Sequence, residues 1–141
     1  MTDPGRLLLD THVWVWLVRG NNARLGQTSV AQLERSARKA RLFVSVISVW
    51  EVAQLESKGR LGLGLPVRSW IDTALSQPEF ELLGISADVA VESCALPGVF
   101  HPDPADRFLV ASARTQSLTI VTSDSRIIEY GTQGHVKVMA A

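Results

Sequence analysis

The 141-residue chain has a composition that fits one compact domain and excludes several classes of protein. It holds 14 lysine and arginine residues against 14 aspartate and glutamate residues, so no net field draws the whole protein to nucleic acid or membrane. Its single cysteine, Cys94, excludes an internal disulfide and a cysteine-rich zinc cage. No apolar run approaches the ~20 residues that span a bilayer. We therefore expect residues 1–141 to form a single domain of a cytoplasmic protein without a membrane partner.

The first predicted strand ends at an acidic residue. Residues 7–9 form an apolar run that Asp10 and Thr11 close, and an apolar pattern typical of a helix resumes over residues 12–18. Asp10 is a good helix N-cap, which would explain it without any chemistry. An acid at the carboxyl end of a buried strand also lies where open α/β sheets bind their ligands.

A basic amphipathic helix is predicted over residues 27–40. Arg38, Lys39 and Arg41 cluster at its C-terminal end, where cations offset the helix dipole, so a solvated face is the simplest interpretation. Contact with the phosphates of a nucleic acid is the alternative.

The second predicted strand, residues 42–46, leads into a helix that we expect to open at Ser48 and to continue to Lys58. Ser48 and Glu51 match the capping-box pattern, which explains Glu51 without catalysis. The two roles are compatible, because a residue in the first turn of a helix that follows a strand points to the same sheet edge as Asp10.

A second pair of acids comes later in the chain. Pro104 is favoured in the first turn of a helix, which places Asp106 in that turn, although an acid there is also explained by the helix dipole. Asp103 is expected to cap this helix. Residues 118–121 form an apolar β-branched run, and Asp124 follows it as at the end of a buried parallel strand.

The remaining predicted elements keep strands alternating with helices, which implies an α/β fold with a parallel sheet covered on both faces. They are helices over residues 66–75, 86–96 and 126–130, a strand over residues 80–85 and a closing edge strand over residues 136–138. Right-handed crossovers place the carboxyl ends of parallel strands at one edge of the sheet.

Four carboxylates would then face one cleft: Asp10, Glu51, Asp106 and Asp124. Such a group repels itself and is tolerated mainly when a divalent cation neutralises it. Oxygen ligands without cysteine or histidine indicate Mg²⁺ or Mn²⁺. Such an ion can activate a water molecule for attack on a phosphate ester, so the protein need supply no covalent nucleophile.

Four segments distributed over essentially the whole chain carry a family resemblance: residues 8–12, 48–51, 103–107 and 121–124. Together they resemble the PIN-domain family, specifically VapC-type toxin ribonucleases. The resemblance implies a three-layer α/β/α sandwich with a mainly parallel central sheet. It also implies Mg²⁺- or Mn²⁺-dependent endoribonuclease activity, a cognate VapB-type antitoxin and a homodimer whose basic residues surround the acidic clefts.

The resemblance also assigns roles to residues. Asp10, Glu51, Asp106 and Asp124 match the acidic quartet of the family, as catalytic residues and metal ligands. Thr11 resembles the small polar residue that helps to hold the first acid. Ser48 and Thr122 are predicted to support the quartet, and the candidates for binding RNA are Arg38, Lys39, Arg41, Lys58 and Arg60.

Two other functions stay open at this point. The chain could be a non-catalytic α/β module that docks a partner protein through exposed tryptophans. It could also be an aspartyl phosphotransferase in which Asp10 attacks phosphorus, although no acid stands two residues after Asp10. One and two metal ions are both compatible with the sequence, since Ser125 and Arg126 follow Asp124 where some relatives carry a further acid.

Overall fold

A computed structural model describes residues 6–20, 26, 31, 33–35 and 42–141. These residues form five strands and six helices, besides helical backbone at residues 31 and 33–35. In chain order, the elements are β1 (Leu7–Leu9), α1 (Thr11–Val18), β2 (Leu42–Ser45), α2 (Val46–Ser57), α3 (Val67–Leu75), β3 (Phe80–Leu83), α4 (Ala87–Ser93), α5 (Pro104–Gln116), β4 (Thr119–Thr122), α6 (Ser125–Thr132) and β5 (Lys137–Ala140).

The five strands make one sheet in the order β3-β2-β1-β4-β5, and every neighbouring pair is parallel. The chain leaves β1 towards β2 on one side, and it leaves β4 towards β5 on the other side. Such a reversal of direction opens a crevice at the carboxyl ends of the two central strands, where α/β proteins bind ligands. The predicted parallel sheet is confirmed.

Helices cover the sheet on both faces, because successive side chains of a strand point to opposite sides. Leu7 and Leu9 pack in a hydrophobic cluster with Val52 of α2 and Trp70 of α3. Leu8, between them, packs in a second cluster with residues of α5 and α6. This arrangement is the three-layer α/β/α sandwich that the family resemblance implies.

The capping-box prediction at Ser48 and Glu51 is wrong. β2 ends at Ser45, and its hydroxyl accepts a hydrogen bond from the backbone N–H of Ile47 at 3.0 Å, so Ser45 is the N-cap of α2. Because α2 begins at Val46, Glu51 lies in the second helical turn rather than the first.

Asp103 stands at the N-cap position of α5, but its side chain makes no capping hydrogen bond, so the predicted cap is also wrong. Pro104 opens the helix as predicted and removes one N–H that would otherwise need a partner. Asp106 therefore lies in the first turn of α5, as predicted.

Much of the predicted helix over residues 27–40 lies outside the described residues, as do Arg38, Lys39 and Arg41. Residues 31 and 33–35 are helical, and Leu33 is buried in the first hydrophobic cluster. Within the described part of the chain, no helix combines the length and apolar character needed to cross a membrane.

Candidate acidic active site

Two of the four predicted acids lie at the carboxyl ends of the neighbouring strands β1 and β4. Asp10 follows β1 directly, and Asp124 follows β4 as the N-cap of α6. The strands are paired in parallel register, so both acids lie at the crevice where the chain direction reverses.

Asp10 is almost fully buried, with 7% of its surface exposed, and the protein holds it on several sides. One carboxylate oxygen accepts a hydrogen bond from the backbone N–H of Thr11 at 2.7 Å, and the other accepts from the hydroxyl of Thr122 at 2.6 Å. Its own backbone N–H donates to the carbonyl of Val121 at 3.0 Å. Burial raises the pKa of Asp10, and the hydrogen bonds with Thr122 and Thr11 lower it in part.

The buried hydroxyl of Thr122 connects two of the acids. It donates to Asp10 and accepts a hydrogen bond from the backbone N–H of Asp124 at 2.9 Å. A single hydroxyl at the end of β4 thus fixes the side chain of one acid and the backbone of another. Thr122 thus lies beside two of the acids, and its role in supporting catalysis stays a prediction.

Glu51 reaches the same crevice from the second turn of α2. The Thr11 hydroxyl donates to the Ser48 hydroxyl at 2.8 Å, so the start of α1 is tied to the first turn of α2 below Glu51. Burial raises the pKa of Glu51, the nearby hydroxyl of Thr11 lowers it, and the charges of Asp10 and Asp103 raise it further. Thr11 and Ser48 therefore link the first acid to the second.

Asp106, in the first turn of α5, has only 6% of its surface exposed. Burial raises its pKa first, and the charges of Asp10, Asp103, Asp124 and Glu51 add to this effect, so that the pKa is about 8. The charges of the other three predicted acids and of Asp103 thus act on Asp106, which places these carboxyls in one region at the sheet edge. Without a compensating cation, Asp106 carries a proton at neutral pH.

Two further residues, which the sequence did not place in the site, contact the acids. Nε2 of His101 lies 3.0 Å from Oδ2 of Asp106, although its ring N–H is not aligned with that oxygen for a hydrogen bond. Burial, followed by the charge of Arg126, lowers the pKa of His101. A protonated Asp106 can therefore donate its own proton towards the neutral imidazole.

Arg126 is the second unpredicted residue. Its guanidinium nitrogen lies 3.2 Å from Oδ2 of Asp124 and 3.8 Å from Oδ2 of Asp106. Burial alone would raise the pKa of Asp124, but hydrogen bonds from the side chain and backbone of Arg126 outweigh it and hold the pKa below its usual range. Asp124 is therefore ionised when Asp106 is not.

The donor set fits a hard divalent cation. Carboxylates and hydroxyls surround the crevice, and Mg²⁺ and Mn²⁺ prefer such oxygen ligands. Burial is the main cause of the raised pKa of Asp106, and the charges of the neighbouring acids raise it further, so the acids repel one another when nothing neutralises them. In the described ranges, no three histidine, cysteine, aspartate or glutamate side chains are gathered closely enough to hold an ion by themselves.

The described basic candidates lie away from the acids. Lys58, the C-cap of α2, is exposed about 10 Å further along the helix axis than Glu51, and the exposed Arg60 follows after the end of the helix. Their role in binding RNA stays a prediction.

A group of buried and partly buried carboxyls with three raised pKa values and one lowered pKa is typical of a site that binds a cation and handles protons. The fold and the crevice thus define a class, the α/β proteins with an acidic site at the carboxyl edge of a parallel sheet. Comparison with known proteins identifies the family within that class.

The PIN-domain profile matches residues 7–132. Ribonuclease VapC22 of Mycobacterium tuberculosis is 34% identical to the chain over 121 residues, which cover 86% of this chain and 88% of that relative. The chain therefore belongs to the PIN-domain family.

Solved structures show the same fold at lower sequence identity. VapBC2 of Rickettsia felis, bound to a DNA fragment from its promoter, matches with a TM-score of 0.69 and 18% identity, covering 95% of this chain and 97% of that one. A toxin–antitoxin complex from Klebsiella pneumoniae matches with a TM-score of 0.52 and 20% identity, covering 85% and 88% of the two chains.

Proposed function

We propose that this chain is a Mg²⁺- or Mn²⁺-dependent endoribonuclease and the toxin of a toxin–antitoxin pair. The observation that carries the proposal is the position of Asp106, buried among the other acids with a pKa of about 8. Membership of the PIN-domain family and 34% identity to a protein named as a ribonuclease support the same activity.

Asp10, Glu51, Asp106 and Asp124 are the residues that would hold the cation, directly or through water. When bound, a divalent ion supplies positive charge to the scissile phosphate and activates water for its hydrolysis. With that positive charge in place, the four acids would repel one another less and Asp106 would lose its proton.

The residues of the chain divide the remaining work. Thr11 and Thr122 fix both oxygens of Asp10, so this carboxylate cannot turn away from the crevice. Asp124 is ionised and partly exposed, and it can accept a hydrogen bond from a water molecule and orient it. Arg126 adds a fixed positive charge beside these acids, where a phosphate oxygen would be attracted.

The partners follow from the same proposal. The substrate is RNA, and a VapB-type antitoxin restrains the activity in the cytoplasm. The similarity of the fold to VapBC2 and to a toxin–antitoxin complex supports the antitoxin. A homodimer, which the family resemblance implies, is part of the proposal.

Cleavage of total cellular RNA by the purified chain tests this function. We expect discrete fragments with Mg²⁺ or Mn²⁺, and none in EDTA or with Asp106→Asn. The matched control is Asp72→Asn, an exposed aspartate paired with Arg68 on α3, which should cleave like the wild type. Fragments that persist in EDTA or with Asp106→Asn would contradict the proposal.

A further inference from the structure

A pocket of about 470 Å³ opens beside the acidic crevice, between the loop that precedes α5 and the exposed side of α6. Two of its lining residues also contact the acids. His101 lies 3.0 Å from Asp106, and Arg126 lies 3.2 Å from Asp124. The pocket and the crevice therefore share a border, and a ligand that lies in one can extend into the other.

Aromatic rings form one side of this pocket. The ring centroids of Phe100 and His101 are 4.4 Å apart, and those of Phe100 and Tyr130 are 4.7 Å apart. Val99, which is 90% exposed, adds an apolar rim. Tyr130 is only 1% exposed, so the partly exposed rings of Phe100 and His101 form the accessible part of this wall. Unpaired bases of single-stranded RNA stack on aromatic side chains, so this part of the wall suits a nucleobase.

The opposite side of the pocket is polar. Ser125 and Glu129 line it from α6, and Gln133, the C-cap of that helix, donates a hydrogen bond from its amide to the Glu129 carboxylate at 3.4 Å. These groups offer both donors and acceptors to the edge of a base. The volume lies within the range of about 300–1,000 Å³ that is typical of small-ligand pockets.

Arg126 stands at the border between pocket and crevice. Its side chain is 59% exposed even though it contacts Asp124 and Asp106, so part of the guanidinium faces solvent. Guanidinium groups bind phosphate through several N–H donors. A nucleotide whose base enters the pocket would thus bring its phosphate next to Arg126.

The aromatic wall is held in place before any ligand binds. The Arg107 guanidinium donates to the carbonyls of Ser93 at 2.8 Å, Phe100 at 3.0 Å and His101 at 3.3 Å. The Tyr130 hydroxyl donates to the carbonyl of Pro97 in the same loop. A preformed wall avoids the cost of ordering a loop when the ligand binds.

We infer that this pocket binds one unpaired nucleobase of the RNA, from the nucleotide next to the phosphate in the acidic crevice, and that Arg126 contacts the phosphate of that nucleotide. The inference rests on the proposed ribonuclease function, which supplies the RNA. It adds a base-selecting subsite to a site whose acids do not distinguish one base from another.

Binding without cleavage tests the pocket separately from the chemistry. The four nucleoside 5′-monophosphates are titrated into ¹⁵N-labelled chain in EDTA, and the amide signals are followed by NMR. We expect the signals of residues 99–101 and 126–133 to shift, with one nucleotide preferred, while those around Arg114 and Lys137 in a second pocket stay in place. Shifts that are absent, or that cluster elsewhere, would overturn the inference.

Two matched variants test the pocket during cleavage. Val99→Glu places a carboxylate at the pocket rim, and Val91→Glu makes the same change on α4, where Val91 is 70% exposed. With Mg²⁺ and a short RNA from the wild-type cleavage products, we expect Val99→Glu to raise KM roughly tenfold with little change in kcat. Val91→Glu should match the wild type, and Gln133→Ala should change which base is preferred.

The outcomes separate the two proposals. If the wild type cleaves RNA but Val99→Glu behaves like Val91→Glu, the pocket inference is wrong and the ribonuclease stands. If the wild type cleaves nothing while a nucleotide shifts the pocket signals, the ribonuclease proposal fails and the pocket stands. Pocket signals that respond to a partner protein and to no nucleotide would assign the pocket to that protein and overturn the inference.

Discussion

Replacing Asp106 with asparagine should stabilise the metal-free protein, and the gain should grow with pH. The pKa of Asp106 is 3.8 in an unperturbed chain and about 8 in the folded protein, because of burial and the charges of the neighbouring acids. Between these two values the folded state binds more protons than the unfolded state. The free energy of unfolding therefore falls as pH rises from about 4 to about 8.

Each pKa unit corresponds to about 1.4 kcal/mol, so the shift of Asp106 sets a ceiling of about 6 kcal/mol on its destabilising effect at pH 8. Movement of the neighbouring side chains and weak binding of cations from the buffer reduce this effect. We therefore expect ionised Asp106 to lower the free energy of unfolding by about 2 kcal/mol. For a chain of this length that corresponds to a rise in Tm of about 4 to 8 °C for Asp106→Asn at pH 8. Near pH 4 the gain should vanish, since asparagine then replaces a neutral acid.

The assay is thermal unfolding in EDTA at several pH values between 4 and 8, for the wild type, Asp106→Asn and Asp72→Asn. Asp72 is exposed, so its replacement should change the unfolding free energy by less than about 1 kcal/mol. A lower Tm for Asp106→Asn at pH 8, or a gain that does not depend on pH, would refute the electrostatic account of the crevice.

Three other changes test the remaining contacts. Thr122→Val should lower the free energy of unfolding by about 1–3 kcal/mol and raise the pKa of Asp10 further, because the buried carboxylate loses a hydrogen bond. Thr122→Ser keeps the hydroxyl and should have neither effect. Urea unfolding compares the two variants, and equal losses of stability would contradict the role of the hydroxyl. Mg²⁺ binding at pH 7 should release about one proton, since the pKa of Asp106 is about 8 in the metal-free protein. Calorimetry in buffers of different ionisation enthalpy measures the number of protons released. Mg²⁺ binding without proton release would count against the prediction. Arg126→Ala should tighten Mg²⁺ binding about fivefold at pH 8, because one positive charge near the acids is lost. The control Arg68→Ala, on α3, should leave Mg²⁺ binding unchanged. Weaker Mg²⁺ binding in the Arg126 variant would contradict the charge argument.

The residues that local patterns fix were predictable from the sequence. The apolar run of β1 stops at Asp10, and Pro104 begins α5 with Asp106 in its first turn. The end of the strand and the start of the helix can therefore both be predicted from the sequence. Because the strands are parallel, the end of β1 and the start of α5 lie at the same edge of the sheet, whatever side chains they carry.

The start of α2 was not predictable by the same means. Ser45 and Ser48 are both good N-caps, and only the strand ladder distinguishes them. Ser45 is the last residue of β2 and pairs in register with Leu83 of β3, so the helix begins at the next residue. Ser48 is then inside the helix, where it contacts Thr11.

The contact of His101 depends on how the loop before α5 folds, and the contact of Arg126 with Asp106 depends on where the first turn of α6 lies relative to α5; no periodic pattern encodes either. A partial signal for Arg126 was present, since it stands two residues after an N-cap aspartate and can reach back to it. For His101, its place in the same short segment as Asp106 was the only hint. The single-domain organisation and the homodimer stay predictions.

The central claim is that the four acids bind a divalent cation on which RNA cleavage depends. The most direct test measures Mn²⁺ binding and the rate of RNA cleavage in the same buffer, over one series of Mn²⁺ concentrations, for the wild type and Asp106→Asn. We predict that binding and cleavage rise with a common midpoint in the wild type and that cleavage is lost in the variant. Cleavage that proceeds without bound Mn²⁺, or that survives in Asp106→Asn, would contradict the claim.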